Sequence, residues 1–487
     1  ESVFDPFLSI VSGSASADLA FFYTHNYLEA DMNGQIHSFR QGDLNVVLDI
    51  HSGILHILDD PAQAVVEYLS SDPEANREDT MTALLSRFPL AELAEAWEDI
   101  ADLRRKEQLW ASPAELPDIF AAPPVLKSLC LHVAHDCNLR CGYCFAATGD
   151  FGGGRELMSF EVGKKAIDFL IEKSGTRKHL ELDYFGGEPL MNLGVVRELT
   201  AYAKEQARIH EKEFKLTLTT NGVLLDEKAQ QFVNEEGISL VLSLDGRKDV
   251  HDRMRPNAGG QGSYETVVKR FKEVIAGRPE KKDYYLRGTY TALNKDFSAD
   301  VLHMADIGFT ELSVEPVVTQ DPALAFTEAD LPGLFAEYDF LAEEFLKRRA
   351  DGNPFLFFHF LLEVYHGPCL QKRLSGCGAG HEYAAVTPEG DLYPCHQFVG
   401  REDYKLGDVW QGIQQTHWVE KFRNTHVLTK EACRNCWARF HCSGGCHANA
   451  EQFHGTLDQP YELACELQKK RIECALYIQA QIAMSEE

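Results

Sequence analysis

Positive charge is what this chain lacks most. Its 487 residues carry 47 lysines and arginines against 75 aspartates and glutamates, a formal net charge of −28. An acidic excess of that size repels phosphates, so it argues against a nucleic-acid surface and leaves solubility as the plain reading of the charge. Long apolar runs are missing too: none reaches membrane-spanning length, and no positively charged and apolar signal pattern precedes the cysteines. These absences set the expectation of a cytoplasmic protein with no membrane and no nucleic-acid partner.

What is present is a 44% hydrophobic composition, enough for two or three domains with their own cores, and 13 cysteines. A cytosol keeps thiols reduced, so cysteines bunched at C-x₂-C-type spacings read there as metal ligands rather than disulfides. The pattern divides into five parts. Residues 1–31, with the linker-like stretch 13–17 and a candidate native start at Met32, read as an appended extension and are set aside from the fold. Residues 32–110 predict a small α+β module: strands at 44–51 and 54–58 joined by a Ser52–Gly53 turn, a helix entered at Asp59–Pro61, then helices near 80–87 and 90–108. A Pro/Ala-rich linker at 112–124 leads into 125–320. There, strand patterns at 128–134, 180–185, 215–220, 239–244, 284–291 and 311–314 alternate with amphipathic stretches near 160–173, 194–209, 226–235, 263–277 and 298–306. Such alternation predicts a parallel sheet with right-handed crossovers, with ligands at the carboxyl ends of the strands. A helical bridge is expected over 321–368 and a cysteine-rich domain over 369–487.

The most specific motif is Cys137-x₃-Cys141-x₂-Cys144, directly after the first of these six strands. Three thiolates can hold three irons of a 4Fe–4S cluster and leave the fourth open to a ligand. A three-ligand zinc site or three unrelated core cysteines is the bland alternative. Spacing, position and the aromatic Tyr143 before the last cysteine resemble the radical S-adenosylmethionine (SAM) enzymes. The resemblance implies a partial (β/α)₆ barrel in which SAM chelates the open iron and is cleaved reductively to a 5′-deoxyadenosyl radical. By the same resemblance, Gly186, Gly187 and Glu188 of the GGEP segment bind the SAM amino group, and Ser243 touches its ribose or carboxylate. Arg287 would pair with that carboxylate, and Glu315–Pro316 would shape the adenine pocket. The segment 251–256 reads as a charged loop at the substrate mouth or as an exposed loop.

Cysteines recur downstream as Cys377 and Cys395, then Cys433-x₂-Cys436-x₅-Cys442-x₃-Cys446, then Cys465. Four of them could form a zinc site, but the whole pattern resembles the SPASM extension of peptide-modifying radical SAM enzymes, which binds two auxiliary 4Fe–4S clusters. That resemblance assigns Cys433, Cys436, Cys442 and Cys465 to the outer cluster and Cys377, Cys395 and Cys446 to the inner one. Cys369 is either a fourth inner ligand or absent from the set, leaving an iron for a substrate thiolate. Cys130 and Cys474 fall outside and read as buried structural thiols.

The wording around 376–400 is similar to the SCIFF-type maturases, which form thioethers in cysteine-rich ribosomal peptides. The N-terminal module correspondingly resembles a winged-helix-like leader-recognition element, whose sheet edge takes up the substrate leader as an added strand. The resemblance thus implies a precursor peptide with a leader, SAM, three 4Fe–4S clusters, and a reductant such as flavodoxin or ferredoxin. Two rival chemistries use the same scaffold: oxidation of a serine or cysteine by an anaerobic sulfatase maturase, and carbon–carbon cross-linking of peptides. A non-enzymatic leader-binding protein is a third class. No Ser–His–Asp or paired-carboxylate site is required; Asp245, Glu382 and His381 are candidates for moving protons.

Overall fold

Apolar strand residues between 36 and 58 build the first of two sheets among the described residues. The computed structural model describes residues 8–10, 36–113, 123–278, 283–362 and 370–486. In it β1 (Leu8–Ile10), β2 (Ile36–Gln41), β3 (Leu44–Asp49) and β4 (Leu55–Leu58) form a four-stranded sheet in the order β1-β4-β3-β2. β3 runs antiparallel to both neighbours, with Val46 opposite Phe39 and Ile57. The hairpin expected over 44–58 is therefore present, and β2 widens it. β1 adds to the outer edge of β4 in parallel, Ser9 opposite His56. Setting all of 1–31 apart from the fold was too broad by these three residues, while the 13–17 linker and Met32 lie outside the described residues.

Three helices follow. α1 (Asp60–Ser71) starts where the Asp59 side chain accepts the Ala62 amide at 2.8 Å, with Pro61 in its first turn. α2 (Arg77–Leu84) is closed by a capping box between Asn76 and Asp79. α3 (Leu90–Arg105) completes the layer. Val47 and Leu58 pack against Val65, Val66, Leu93 and Ile100 in a core private to this module.

The second sheet is mostly parallel. β5 (Ser128–Ala134), β6 (His179–Gly186), β7 (Glu213–Thr220), β8 (Ser239–Ser243), β9 (Tyr284–Tyr290) and β10 (Glu311–Pro316) lie side by side in chain order, all parallel. Between them run α4 (Phe160–Lys173), α5 (Leu193–Ile209), α6 (Glu227–Glu235), the pair α7 (Lys248–Met254) and α8 (Tyr264–Ala276), and α9 (Phe297–Asp306). After α10 (Leu331–Ala350), β11 (Leu356–Phe357) extends the sheet past β10. At the other edge, past α11 (Leu370–Ser375), β12 (Tyr383–Val386) pairs in parallel with β5, and β13 (Asp391–Tyr393), β14 (Gly407–Asp408) and β15 (Gly412–Ile413) continue antiparallel. Eleven strands thus form one sheet that joins the cysteine-rich part of the chain to the six-strand part.

Strand alternation gives the sheet two unlike faces. Leu129, Leu131, Val133, Leu182 and Tyr184 face the helices in a fully apolar core. Cys130 and Phe185 lie on the opposite face with Ala385, Tyr393, Cys395 and Phe398. The remaining helices α12 (Thr416–Asn424), α13 (Glu431–Arg434), α14 (Arg439–Cys442), α15 (His447–His454) and the long α16 (Glu462–Glu486) close the molecule.

α16 ties the two sheets together. It packs along α10 and against β2, β3 and β4. His37 Nε2 lies 2.9 Å from Glu473 Oε1, and the His37 ring stacks 3.6 Å from Trp437, the residue after Cys436. The N-terminal module therefore docks on the cysteine-rich end of the chain. No helix among the described residues is long and apolar enough to cross a membrane.

Because the N-terminal module keeps a private core, it is expected to loosen by itself. Leu93 is fully buried there, and Leu93→Ala is expected to cost about 2–5 kcal/mol of local stability. Hydrogen exchange checks this: protection should fall across α1–α3 and stay unchanged across β5–β10.

Candidate functional site

The carboxyl ends of β5, β6 and β7 are sewn together by backbone. Gly187 N donates to Ala134 O and Glu188 N to Asp136 O, both at 2.8 Å. Gly186 has φ +126°, and a Cβ there would overlap the Ala134 carbonyl oxygen; one at Gly187 would overlap the Asp136 carbonyl and meet Gly149 Cα at 3.0 Å. These glycines are required because two loops touch, not simply to admit a ligand. Glu188 completes the seam. Its buried carboxylate accepts from Thr220 Oγ1 at 2.7 Å, Leu190 N at 3.1 Å and Asn221 N at 2.8 Å, so both oxygens are engaged within the protein. Burial raises its pKa against the pull of those donors.

That seam positions the loop carrying Cys137, Cys141 and Cys144, which the structure brings into mutual electrostatic reach. Leu139 N and Asn221 Nδ2 donate to Cys137 Sγ at 3.4 and 3.6 Å. Burial pushes the Cys137 thiol up to about 12 and Cys141 to about 11. Thiols this reluctant to ionise become thiolates when a metal takes the proton's place. Soft sulfur donors with N–H groups aimed at one of them suit an iron–sulfur cluster.

The downstream cysteines fall into two further groups. Cys395 senses Cys446 and Cys377, and Cys446 senses Cys377. Cys465 senses Cys442, Cys433 and Cys436. Burial pushes Cys433 to about 11 and Cys465 to about 12. Among the described residues no three His, Cys, Asp or Glu side chains converge on a single-ion site. Cys369 lies outside the described residues. Lys430, unmarked in the sequence, is buried between the groups: its Nζ donates to Gly444 O at 2.8 Å and feels Cys433, Cys442, Cys446 and Cys465. Cys130 and Cys474 are buried, as expected of structural thiols.

Other predicted residues are placed differently from one another. Tyr143 turns its phenol inward, donating to Asp245 Oδ2 at 2.6 Å and accepting from Arg255 Nη1 at 2.9 Å. Ser243 and Arg287 are register partners on β8 and β9. Arg287 forms an ion pair with Glu315, both still accessible at 47% and 37%. Burial would raise the Glu315 carboxyl, but Arg287, then His359 and Arg471, hold it down at about 2. Of the proton-moving candidates, Asp245 lies at the strand ends beside Tyr143. Glu382 lies at the opposite end of β5, where its carboxylate pairs with Lys127 and Arg177 at 3.7 and 3.5 Å, and its carbonyl accepts from Lys127 N. His381 is buried against Ala379 O at 3.2 Å.

The segment 251–256 is not an exposed loop: residues 251–254 are the end of α7, and His251, Met254 and Arg255 are buried while Arg253 stays exposed. Charge along the segment hid this, because Asp252 and Arg253 alternate with the buried side chains. Asp245 N donates to His251 Nδ1 at 3.3 Å, so Nε2 carries the hydrogen toward Ser263 Oγ at 2.9 Å, and Ser263 Oγ donates to Arg255 O at 2.8 Å.

Comparison with known proteins agrees with this geometry. Residues 131–314 match the radical SAM superfamily, and residues 377–437 match SPASM, an iron–sulfur cluster-binding domain. The chain is a radical SAM/SPASM protein. It is 25% identical to a cysteine-type anaerobic sulfatase-maturating enzyme of Clostridium novyi, over 67% of this chain and 90% of that one. It is 22% identical to the radical SAM cyclopropyl synthase TigE of Paramaledivibacter caminithermalis, over 71% and 72%. It shares its fold with the solved structure of native anSMEcpe with bound AdoMet: TM-score 0.62, 20% identity, 74% of this chain and 100% of that one.

Two outcomes follow from the site. Gly187→Ala should strip iron from the Cys137–Cys144 set while leaving the other two; a purified variant with a full complement of iron and an unchanged electron paramagnetic resonance (EPR) spectrum would contradict this. His251 is buried and neutral, its pKa lowered to about 3 by burial and by Arg255. The unfolded chain takes up a proton near pH 6.5 and the folded chain does not, so stability falls as pH drops below 6.5, by up to about 1.4 kcal/mol per unit. Thermal melts of wild type and His251→Asn between pH 5 and 7.5 should show a flatter acid limb in the variant.

Proposed function

We propose that this protein is a peptide maturase that installs thioether cross-links between cysteine and acceptor residues of a ribosomally made peptide. The peptide half of this reading is carried by the N-terminal sheet. Its β4 edge already takes up an added strand, β1, and main-chain pairing of that kind is how a leader of variable sequence is captured. The relatives named above include enzymes described as acting on sulfatases and as forming cyclopropyl groups, which supports peptide modification as the shared chemistry.

Cys137, Cys141 and Cys144 would hold the SAM-binding cluster. Cys433, Cys436, Cys442 and Cys465 would hold the outer auxiliary cluster, and Cys377, Cys395 and Cys446 the inner one, making three 4Fe–4S clusters in all. When bound, SAM and the clusters would supply one-electron chemistry: removal of a hydrogen atom from a peptide carbon, and acceptance of the electron left over as a peptide thiol gives up its proton and bonds to that carbon. The protein supplies position. The 186–188 seam fixes the first cysteine loop against β6, and Ser243 with the accessible Arg287–Glu315 pair offers hydroxyl, cation and carboxylate to a zwitterionic ligand. The apolar rings of Phe151 and Phe185 around His132 exclude water from the neighbouring face of the sheet. Three described thiols in the inner group leave a place for Cys369 or for a peptide thiolate, and the latter is what thioether formation would use. A flavodoxin or ferredoxin is the expected electron donor.

Sulfatase-type oxidation is the second reading, favoured by the name of the Clostridium novyi relative. Product chemistry separates the two. Incubated anaerobically with SAM, dithionite and a leader-bearing, cysteine-rich peptide, the protein should yield 5′-deoxyadenosine and a peptide lighter by two hydrogens with one thiol closed to alkylation. A product that traps hydrazine would establish aldehyde formation instead. No 5′-deoxyadenosine with any peptide would leave only leader binding.

A further inference from the structure

A buried ion pair, Arg255 with Asp245, stands against the first cysteine loop, and Arg255 has no part in the roles above. Segment 254–257 runs antiparallel to 139–142: Arg140 N donates to Pro256 O and Gly142 N to Met254 O, each at 2.8 Å, and Leu139 bridges to Asn257. This ladder fixes Arg255 between Cys141 and the end of β8. Its Nη1 donates to Tyr143 Oη at 2.9 Å and to Asp245 Oδ1 at 3.3 Å, while its buried Nε has no partner among the described residues. Asp245 is itself fixed, accepting from Tyr143 Oη and from Thr289 N at 3.2 Å. Both charges reach Cys141, Arg255 favouring its thiolate and Asp245 opposing it.

We infer that Arg255 is a positioning residue for the cluster at Cys137, Cys141 and Cys144, and that its fixed positive charge, partly offset by Asp245, raises that cluster's reduction potential. Reduction adds one negative charge to the cluster. A cation held beside a ligand thiolate in a water-poor wall stabilises the reduced state, and an anion there destabilises it. Arginine suits the task because it does not lose its proton when buried. The cluster loop cannot drift from the charge, since the 254–257 ladder binds it at two amides.

The inference rests on those three cysteines holding a cluster, and its test keeps the two claims apart. In full-length, anaerobically reconstituted protein, the EPR signal that changes on adding SAM reports this cluster and not the auxiliary ones. Its redox titration is compared in wild type, Arg255→Gln, Arg255→Lys and Asp245→Asn, with iron measured for each. Arg255→Gln is expected to lower the reduction equilibrium constant at least tenfold, about 59 mV for one electron. Arg255→Lys should stay within about twofold to threefold of wild type, and Asp245→Asn should shift the other way. A merely structural ion pair would move both charge-removing variants in one direction or neither, which overturns the inference. If Arg255→Gln fails to retain iron at this set, Asp245→Asn decides it: no upward shift is a refutation. Wild-type protein with no SAM-sensitive signal would instead defeat the cluster assignment itself.

Discussion

The seam at residues 186–188 is the constraint on which the site depends. A parallel sheet leaves the carboxyl ends of its strands unpaired, and here three of those ends are joined by main chain. Gly187 and Glu188 amides reach back to the loop after β5, and the Glu188 carboxylate reaches across to the start of the loop after β7. The contact is close enough that neither glycine has room for a Cβ. A buried carboxylate is costly unless its oxygens are satisfied, and Glu188 satisfies both with groups it thereby immobilises. The cysteine loop is held from one side by this seam and from the other by the 254–257 ladder, so the three thiols approach one another without depending on side-chain packing alone.

Electrostatics follow from that arrangement. Most of the cysteines in the three groups are buried enough that burial pushes their thiols above the ordinary range. Buried cations are placed where thiolate charge would gather: Arg255 beside Cys141, Lys430 between the two downstream groups and Arg439 beside Cys436. In a chain with so large an acidic excess, these buried cations facing cysteines are a local inversion of the overall charge. The N-terminal module connects to the same region, since His37 stacks on Trp437 next to Cys436.

Much of this was legible in the sequence, for identifiable reasons. β5–β10, α4–α6, α8 and α9 carry long, regular apolar periods, and the expected strands and helices coincide with the observed ones to within a residue or two, α4 at 160–173 among them. The hairpin was announced by the Ser52–Gly53 turn, and the cysteine groups by their spacing. β11–β15 were not legible, because strands of two to four residues carry too little period, and their union with the main sheet through β12 and β5 is a long-range pairing that no local pattern encodes. The short helix α7 and the burial of Arg255 were masked by alternating charge. Glu188 was visible as a motif residue, but its three hydrogen bonds depend on β7 lying beside β6. The partition of the downstream cysteines comes from family resemblance alone, since no local pattern says which of them share a cluster.

The central claim is that Cys137, Cys141 and Cys144 together hold one iron–sulfur cluster that is separate from the other two groups. Iron and sulfide counted per chain in anaerobically reconstituted wild type and in the C137A/C141A/C144A variant test it most directly. The account predicts a loss of about four irons and four sulfides in the variant, with the remaining iron retained and SAM cleavage abolished. Zinc in place of iron in the wild type, or a variant that keeps its full iron and still cleaves SAM, would contradict it.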